Sequence, residues 1–340
     1  MKMLLVCPHF RNIEKGIVDS FRRIGVEVYP FFFSMGMDNH HYYQRLKLKL
    51  GLNINDFLEK EKVKFNERLK QEYEYIQPEI VYIIQGRWMA QDTIRLFRKT
   101  SYVVLYLWDM VSLFPEMEET FGEYNVIYSF DKNDTNQLCS LGYNANFKPS
   151  GYDSSIYFPI MCEKEYDLCF VGAMYPERVK LLKKIYNQLP GLNWAVYGEY
   201  APIRKPIQWV KWRFSSDYKL FKNKNIDKTE VNEIYNKSKI VLSIVRSNQE
   251  NGWSARLPEI LGTKSFQLTT YFPAVEKEFL GCIVLYKNEM DCIYQIQYYL
   301  SHAKEREEIA ERGFQKARSL SDDELNKIII QEYNEWRRLK

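Results

Sequence analysis

The sequence predicts an α/β protein built from two doubly wound, parallel-sheet domains. Three observations carry this. Short, nearly all-apolar runs such as MKMLLVC, EIVYIIQ and SYVVLYLW recur along the chain, as expected of strands buried on both faces. Helical stretches separate these runs, which is the spacing of a parallel sheet with helical crossovers. The alternation pauses at a polar crossing, SGYDSSIYFPIMCEKEYD (150–167), and then starts again.

In chain order, the first half offers strands at MKMLLVC, VEVYPFFF, EIVYIIQ, SYVVLYLW, NVIYSF and the short ANFKPS, with a long helix over 56–76. After the crossing come YDLCFVGA, a helix at 176–189, NWAVYGE, a helix near 230–238, KIVLSIV, a helix at 256–262, SFQLTT and CIVLYK, then helices. We therefore place an N-terminal, acceptor-side domain at 1–155 and a C-terminal, ligand-binding domain at 156–320. The two are expected to face a central cleft at the carboxyl ends of their sheets, where ligands of such folds sit. The stretch 321–340 opens with Ser321 as N-cap and acidic residues in its first turn. Leu325, Ile328, Ile329, Tyr333 and Trp336 then form an apolar stripe. This helix is expected to cross back onto the N-terminal domain.

The composition narrows the function. With 340 residues, 46% hydrophobic and 27% charged, the chain is globular rather than disordered. A net charge of +4 suits an anionic ligand or an acidic membrane surface, whereas a nucleic-acid binder clusters its charge more strongly. Six scattered cysteines, Cys7, Cys139, Cys162, Cys169, Cys282 and Cys292, show no C-x-x-C pair and read as buried free thiols of a reducing cytoplasm. The opening MKMLLVCPHF reads as a first strand rather than a signal peptide. No apolar run approaches the ~20 residues of a membrane span. The basic, aromatic HHYYQRLKLKLGL (40–52) reads as a solvated helix with a buried apolar stripe; peripheral contact with anionic lipid at the inner face of a membrane, or the hold on a glycan acceptor, is the alternative.

Two stretches carry the ligand chemistry. In FVGAMYPERVKLL (170–182) a strand ends at Val171, Gly172 permits a tight turn, and a helix starts at Pro176. Backbone N–H groups there attract phosphate, and Arg178 can add a charge-assisted pair; taken alone, the stretch reads equally as an ordinary strand–turn–helix with a solvated Arg. In NQENGWSARLPEILGTKSFQLTT (248–270) a polar loop leaves a buried strand. Asn251 and Gly252 let the backbone approach a ligand closely. Arg256 neutralises phosphate, and Glu259, in a first helical turn, accepts from two sugar hydroxyls. Ordinary capping is the alternative for Glu259. In the first half, His9 follows strand one, where it serves as a general base or orients the donor sugar, with a purely structural His as the alternative, and Asp109 ends YLWD, placed to take a proton from an acceptor hydroxyl. Asp109 could equally cap the helix that follows. Asp131 and Asp134 read as caps, and no metal site is expected.

The stretches SFDKNDTNQLCSLGYNANFKPSGYDSSIYFP, YDLCFVGAMYPERVKLL, NWAVYGEY and NGWSARLPEILGTKSFQLTTYFPAVEKEFLGCIVLY resemble the two-domain nucleotide-sugar glycosyltransferases of the GT-B fold. Within these the chain is most similar to the spore-maturation, CgeB-like branch. There an Arg–Glu element after an Asn-Gly turn, a strand ending Thr-Thr and a Phe-closed segment recur in this order. The matching stretches span roughly 125–320, and the N-terminal part resembles the family only in plan. The resemblance implies metal-independent transfer of a sugar, UDP-linked as the first choice, to a glycan or other hydroxyl acceptor, with no other cofactor. It puts Gly172, Arg178, Arg256 and Glu259 at nucleotide-diphosphate positions, together with Tyr197, Gly198, Asn251 and Gly252. The family's second, ribose-binding Glu is Gln267 here, and Lys264 stands where a small Gly usually ends the helix. Those departures keep a non-catalytic binding module as an alternative. An NAD-dependent dehydrogenase is less favoured, because no Gly-rich fingerprint follows strand one.

Overall fold

The computed structural model describes residues 1–9, 13–33, 46–47, 50–113, 115–202, 205–245 and 252–340. The chain divides into two compact units. The first comprises Met1–Pro149 with Asp322–Lys340, and the second is Ser150–Ser321.

The first unit holds β1 (Lys2–Pro8), α1 (Ile13–Arg23), β2 (Glu27–Phe33), α2 (Asn55–Ile76), β3 (Ile80–Ile84), α3 (Gln91–Arg98), β4 (Tyr102–Leu107), β5 (Val126–Ser129), α4 (Lys132–Ser140) and β6 (Ala145–Phe147). Its strands form one sheet in the order β2-β1-β3-β4-β5-β6, with every pair parallel. Alternate residues of each strand serve opposite faces. Leu4 and Val6 join Val81, Ile83, Leu105 and the α2 residues Phe65, Leu69 and Tyr73. Met3, Leu5 and Cys7 join Ile80, Tyr82, Ile84 and Phe21 of α1. Burial on both faces is why β3 and β4 read as unbroken apolar runs. Helix α2 stops where Gln77 turns left-handed (φ 51°), directly before Pro78, which cannot continue a helix. Helix α4 is capped by Asp131, which accepts from Asn133 N and Asp134 N, as its sequence predicts.

The second unit holds β7 (Tyr166–Val171), α5 (Pro176–Gln188), β8 (Trp194–Tyr197), α6 (Pro206–Arg213), α7 (Lys228–Asn236), β9 (Ser238–Ser243), α8 (Arg256–Gly262), β10 (Gln267–Thr270), α9 (Pro273–Glu278), β11 (Val284–Tyr286), α10 (Glu289–Ser301) and α11 (Ala303–Arg318). The strand order is β11-β10-β9-β7-β8, again all parallel. Leu168, Phe170, Ile240, Leu242 and Leu268 pack with Leu182 and Ile185 of α5 and Ile293 and Ile296 of α10. Helix α7 starts with a capping box between Asp227 and Glu230.

The final helix, α12 (Asp322–Leu339), belongs to the first unit. Arg23 of α1 clamps Asp323 (Nη2 to Oδ1, 2.7 Å), and Asn326 donates to the Ser20 hydroxyl at 3.0 Å. Trp336 tilts against Tyr102 at 5.3 Å, and Tyr333 donates to Glu79 at 3.0 Å. The predicted stripe needs one correction: Ile328 is 43% exposed. Leu325, Ile329 and Tyr333, at intervals of one helical turn, form the buried line instead.

The cysteines also differ in part from expectation. All six are free, but only Cys7, Cys169 and Cys292 are buried, and Cys139 is exposed. Burial pushes the Cys7 and Cys169 thiols up to about 12. Most of the 40–52 segment, read above as a solvated helix with membrane or acceptor contact as the alternative, lies outside the described residues. Among those described, no helix is long and apolar enough to cross a membrane.

Candidate functional site

In the second unit β7 lies between β8 and β9. The chain leaves β7 to one side and returns on the other, so the order reverses at the carboxyl ends of β7 and β9. Ligands of open parallel sheets bind at such a point. Gly172 follows β7 and donates its N–H to Tyr197 O at 3.0 Å. Gly198 follows β8 with φ +150°, and a Cβ there would lie 2.1 Å from the Gly172 carbonyl oxygen. Only glycine fits that approach. Gly172 in turn faces Arg256: a Cβ on it would stand 3.1 Å from Arg256 Nη2 and 3.3 Å from Cζ. The structure thus brings Gly172, Gly198 and Arg256 together.

Arg256 opens α8, and Glu259 lies one turn further on the same helix. Buried tyrosines back both side chains. The Tyr235 hydroxyl faces the Arg256 guanidinium, and the Tyr157 hydroxyl faces the Glu259 carboxylate. Burial pushes the Glu259 carboxyl above the usual carboxylate range, against the pull of Arg256, Lys228 and Tyr157. Burial also raises both tyrosines, so they remain O–H donors at neutral pH. The result is a cation and a carboxylate on one helix face, each held from behind. Tyr157, Tyr235 and Lys228 are absent from the sequence reading. Tyr157 sits in the polar crossing, and nothing local in that stretch marks it as inward-facing.

The other expected residues are placed differently. Arg178, in the first turn of α5, is buried and folds back onto the turn after β7. Its Nη1 donates to Ala173 O at 3.1 Å, and its guanidinium lies over the Tyr175 ring at 5.1 Å and the Phe170 ring at 5.8 Å. In this position it braces the loop that carries Gly172. Gln267 is fully buried at the start of β10, level with Val241 of β9 and so short of the sheet's carboxyl edge. Neither atom of its amide has a partner among the described residues. Tyr197 ends β8 half-buried, and Gly252 is buried beside Trp253, which packs edge-on to Phe279 at 5.0 Å. Asn251 lies outside the described residues.

His9 and Asp109 belong to the first unit, each just beyond a strand's carboxyl end. His9 Nδ1 contacts Oε1 of the buried Glu14 at 2.5 Å. With a carboxylate at Nδ1, that nitrogen carries the hydrogen, which leaves Nε2 as the basic atom of the neutral ring. Asp109 accepts from Gln85 Nε2, and burial raises its pKa against that hydrogen bond. It does not cap the following turn, because the Val111 N–H is taken by Asp134 at 2.8 Å. Glu14 and Gln85 are thus orienting groups that the sequence reading missed. Gln85 and Gly86 both have positive φ, and an adjacent polar–glycine pair after a buried strand was the available signal. Among the described residues no group of three or more His, Cys, Asp or Glu could hold a metal ion.

A family model described as glycosyl transferase-like matches residues 178–327. The match includes Arg178, Gly198, Arg256 and Glu259, and it supports an enzyme of the sugar-transfer class. No curated protein matches the sequence. Solved structures share the fold over essentially the whole chain. A sucrose-phosphate synthase from Thermosynechococcus elongatus has a TM-score of 0.70 at 9% identity, covering 100% of both chains. A glycosyltransferase from Rickettsia africae gives 0.69 at 12%, covering 98% of each. HepE from Anabaena, solved with UDP and glucose, gives 0.64 at 10%, covering 98% of this chain and 100% of its own. Two parallel-sheet α/β units in this arrangement of elements make the fold GT-B, as the sequence implies.

Proposed function

We propose that the protein transfers a sugar from a nucleotide-diphosphate sugar, UDP-linked as the first choice, to a hydroxyl of a glycan or other acceptor. The observation that carries this reading is the Arg256 guanidinium resting on Gly172 at the strand-order reversal of the second unit. An anion seated there meets the guanidinium, the N–H groups of the turn and the first turn of α5. Glu259, one helical turn away, accepts from donor hydroxyls. As the sugar–oxygen bond breaks, negative charge grows on the departing diphosphate, and Arg256 stabilises it where other enzymes use a metal ion. In an inverting reaction His9 Nε2, oriented by Glu14, or Asp109, held by Gln85, takes the acceptor proton. The order of the Asn-Gly turn, the Arg256–Glu259 element and the strand ending Thr270 supports the spore-maturation-like branch. UDP carried by HepE supports the choice of base.

Calorimetric titration of UDP in EDTA tests the reading. Arg256→Ala should weaken binding by about 1.5–3 kcal/mol, the scale of a hydrogen bond to a charged group. Equal affinity of the two proteins overturns the assignment of Arg256, and binding that requires added Mg²⁺ or Mn²⁺ overturns metal independence. Release of UDP from a UDP-sugar in the presence of acceptor separates an enzyme from a binding module.

A further inference from the structure

Helix α6 is apolar on two sides. It spans eight residues, PIQWVKWR, between β8 and α7. One side faces its own unit: Trp212 is 8% exposed and packs against Tyr218 at 5.1 Å and Trp209 at 6.2 Å. The other side carries Ile207, 74% exposed, Val210, 47%, and Phe214, just past the helix end, 85%. Intervals of three and four residues put them on one face. An apolar helix face is normally buried, yet among the described residues these three side chains stay exposed.

The charges beside it indicate which cover fits. Lys205 and Lys211 line an open depression together with Ile207, and Arg213 lies over the Tyr218 ring at 4.3 Å. Among the described residues no carboxylate pairs with these three cations. Of the two acids nearest in sequence, Asp217 is engaged with Lys183 at 2.7 Å and Tyr200 at 2.7 Å, and Glu199 lines a neighbouring hollow together with Arg213. A second copy meeting this face across a two-fold axis would set the same cations against one another. An anionic bilayer satisfies both features, because apolar side chains enter the acyl boundary while Lys and Arg reach the phosphates.

We propose that α6 and Phe214 dock the second unit onto an anionic membrane surface. Ile207, Val210 and Phe214 form the inserted edge, and Lys205, Lys211 and Arg213 contact the headgroups. This docking is independent of the donor chemistry proposed above.

The test is co-sedimentation of the full chain with vesicles of equal parts phosphatidylcholine and phosphatidylglycerol, and with phosphatidylcholine alone. The wild type should bind the anionic vesicles and be left in the supernatant by the neutral ones, with binding falling as salt rises. Ile207→Ser combined with Phe214→Ser should abolish binding. Lys211→Glu should weaken it at least about fivefold, the effect of one charge near the surface. All three positions are exposed, so circular dichroism should be unchanged. No binding by the wild type, or undiminished binding by the Ser variant, overturns the proposal. Concentration-dependent dimerisation abolished by the same Ser substitutions gives the face to a second copy and also overturns it.

Discussion

Lys148 directly follows β6 with 6% exposure, its ammonium 4.5 Å from the centre of the Tyr106 ring. Burial lowers its pKa to about 8, only partly opposed by Asp322. An exposed lysine titrates near ~10.4. Between the two values the unfolded chain binds more protons at this site than the folded one, so stability rises with pH across that window. Below about pH 8 both states are charged and the full cost of burial, on the order of 3 kcal/mol, is present. Lys148→Met should therefore stabilise the first unit at pH 7, with a gain that shrinks by pH 10. Hydrogen exchange in β4 and β5 reads this directly, and an equal gain at both pH values refutes it. Nothing in NFKPS marks Lys148 as buried, since its partners Tyr106 and Asp322 are distant in sequence. Arg256 and Glu259 were legible for the opposite reason: residue type, spacing and position after a buried strand lie within one short stretch. Tyr157 and Tyr235 act on those two residues across the fold, and such contacts leave no local pattern.

Among the described residues, the eleven strands stand where the sequence placed them, and the central ones, β1, β3, β4, β5, β7 and β9, were the plainest because a strand buried on both faces needs no periodicity to be recognised. Helix α6 was missed because it carries apolar side chains on both faces and so shows no stripe. Ile328 was misplaced by a simple angular matter. It neighbours Ile329 in sequence but points about 100° away around the helix. Turns were legible only where glycine reports them. Lys264 ends α8 with φ 58°, a left-handed value that the residue type conceals, and an ion pair with Glu311 at 2.5 Å accompanies it. At the turn after β8 the fit is much tighter. Gly198→Ala would drive a Cβ into the Gly172 carbonyl, which cannot yield without moving β7. We expect a loss of at least about 2 kcal/mol in the second unit's stability. Weakened UDP binding should accompany it, since Gly172 also meets Arg256. A variant that unfolds at the wild-type denaturant midpoint and binds UDP normally contradicts this account of the turn.

At the level of the whole chain, α12 contributes a face of the first unit's core. Its removal exposes Phe21, Tyr102 and Tyr128, which share a cluster with Ile329 and Tyr333. Truncation before Ser321 should thus lower hydrogen-exchange protection throughout residues 1–149 and leave β7, β9 and β10 protected. Unchanged protection in residues 1–149 shows that the helix contributes nothing there. The chain passes between units twice, and the two passages are joined: Tyr152 N donates to Leu320 O at 3.2 Å, and Tyr152 bridges Ser321. In topological terms the second unit is inserted into the first through two neighbouring strands. Synthesis proceeds from the N-terminus, so the first 149 residues emerge first yet lack the helix that completes their core until residues 322–340 follow. The inserted unit, contiguous from 150 to 321, has all its strands available earlier. The first unit to be made is therefore the last able to close, and its open sheet face is the surface that chaperones would meet during translation.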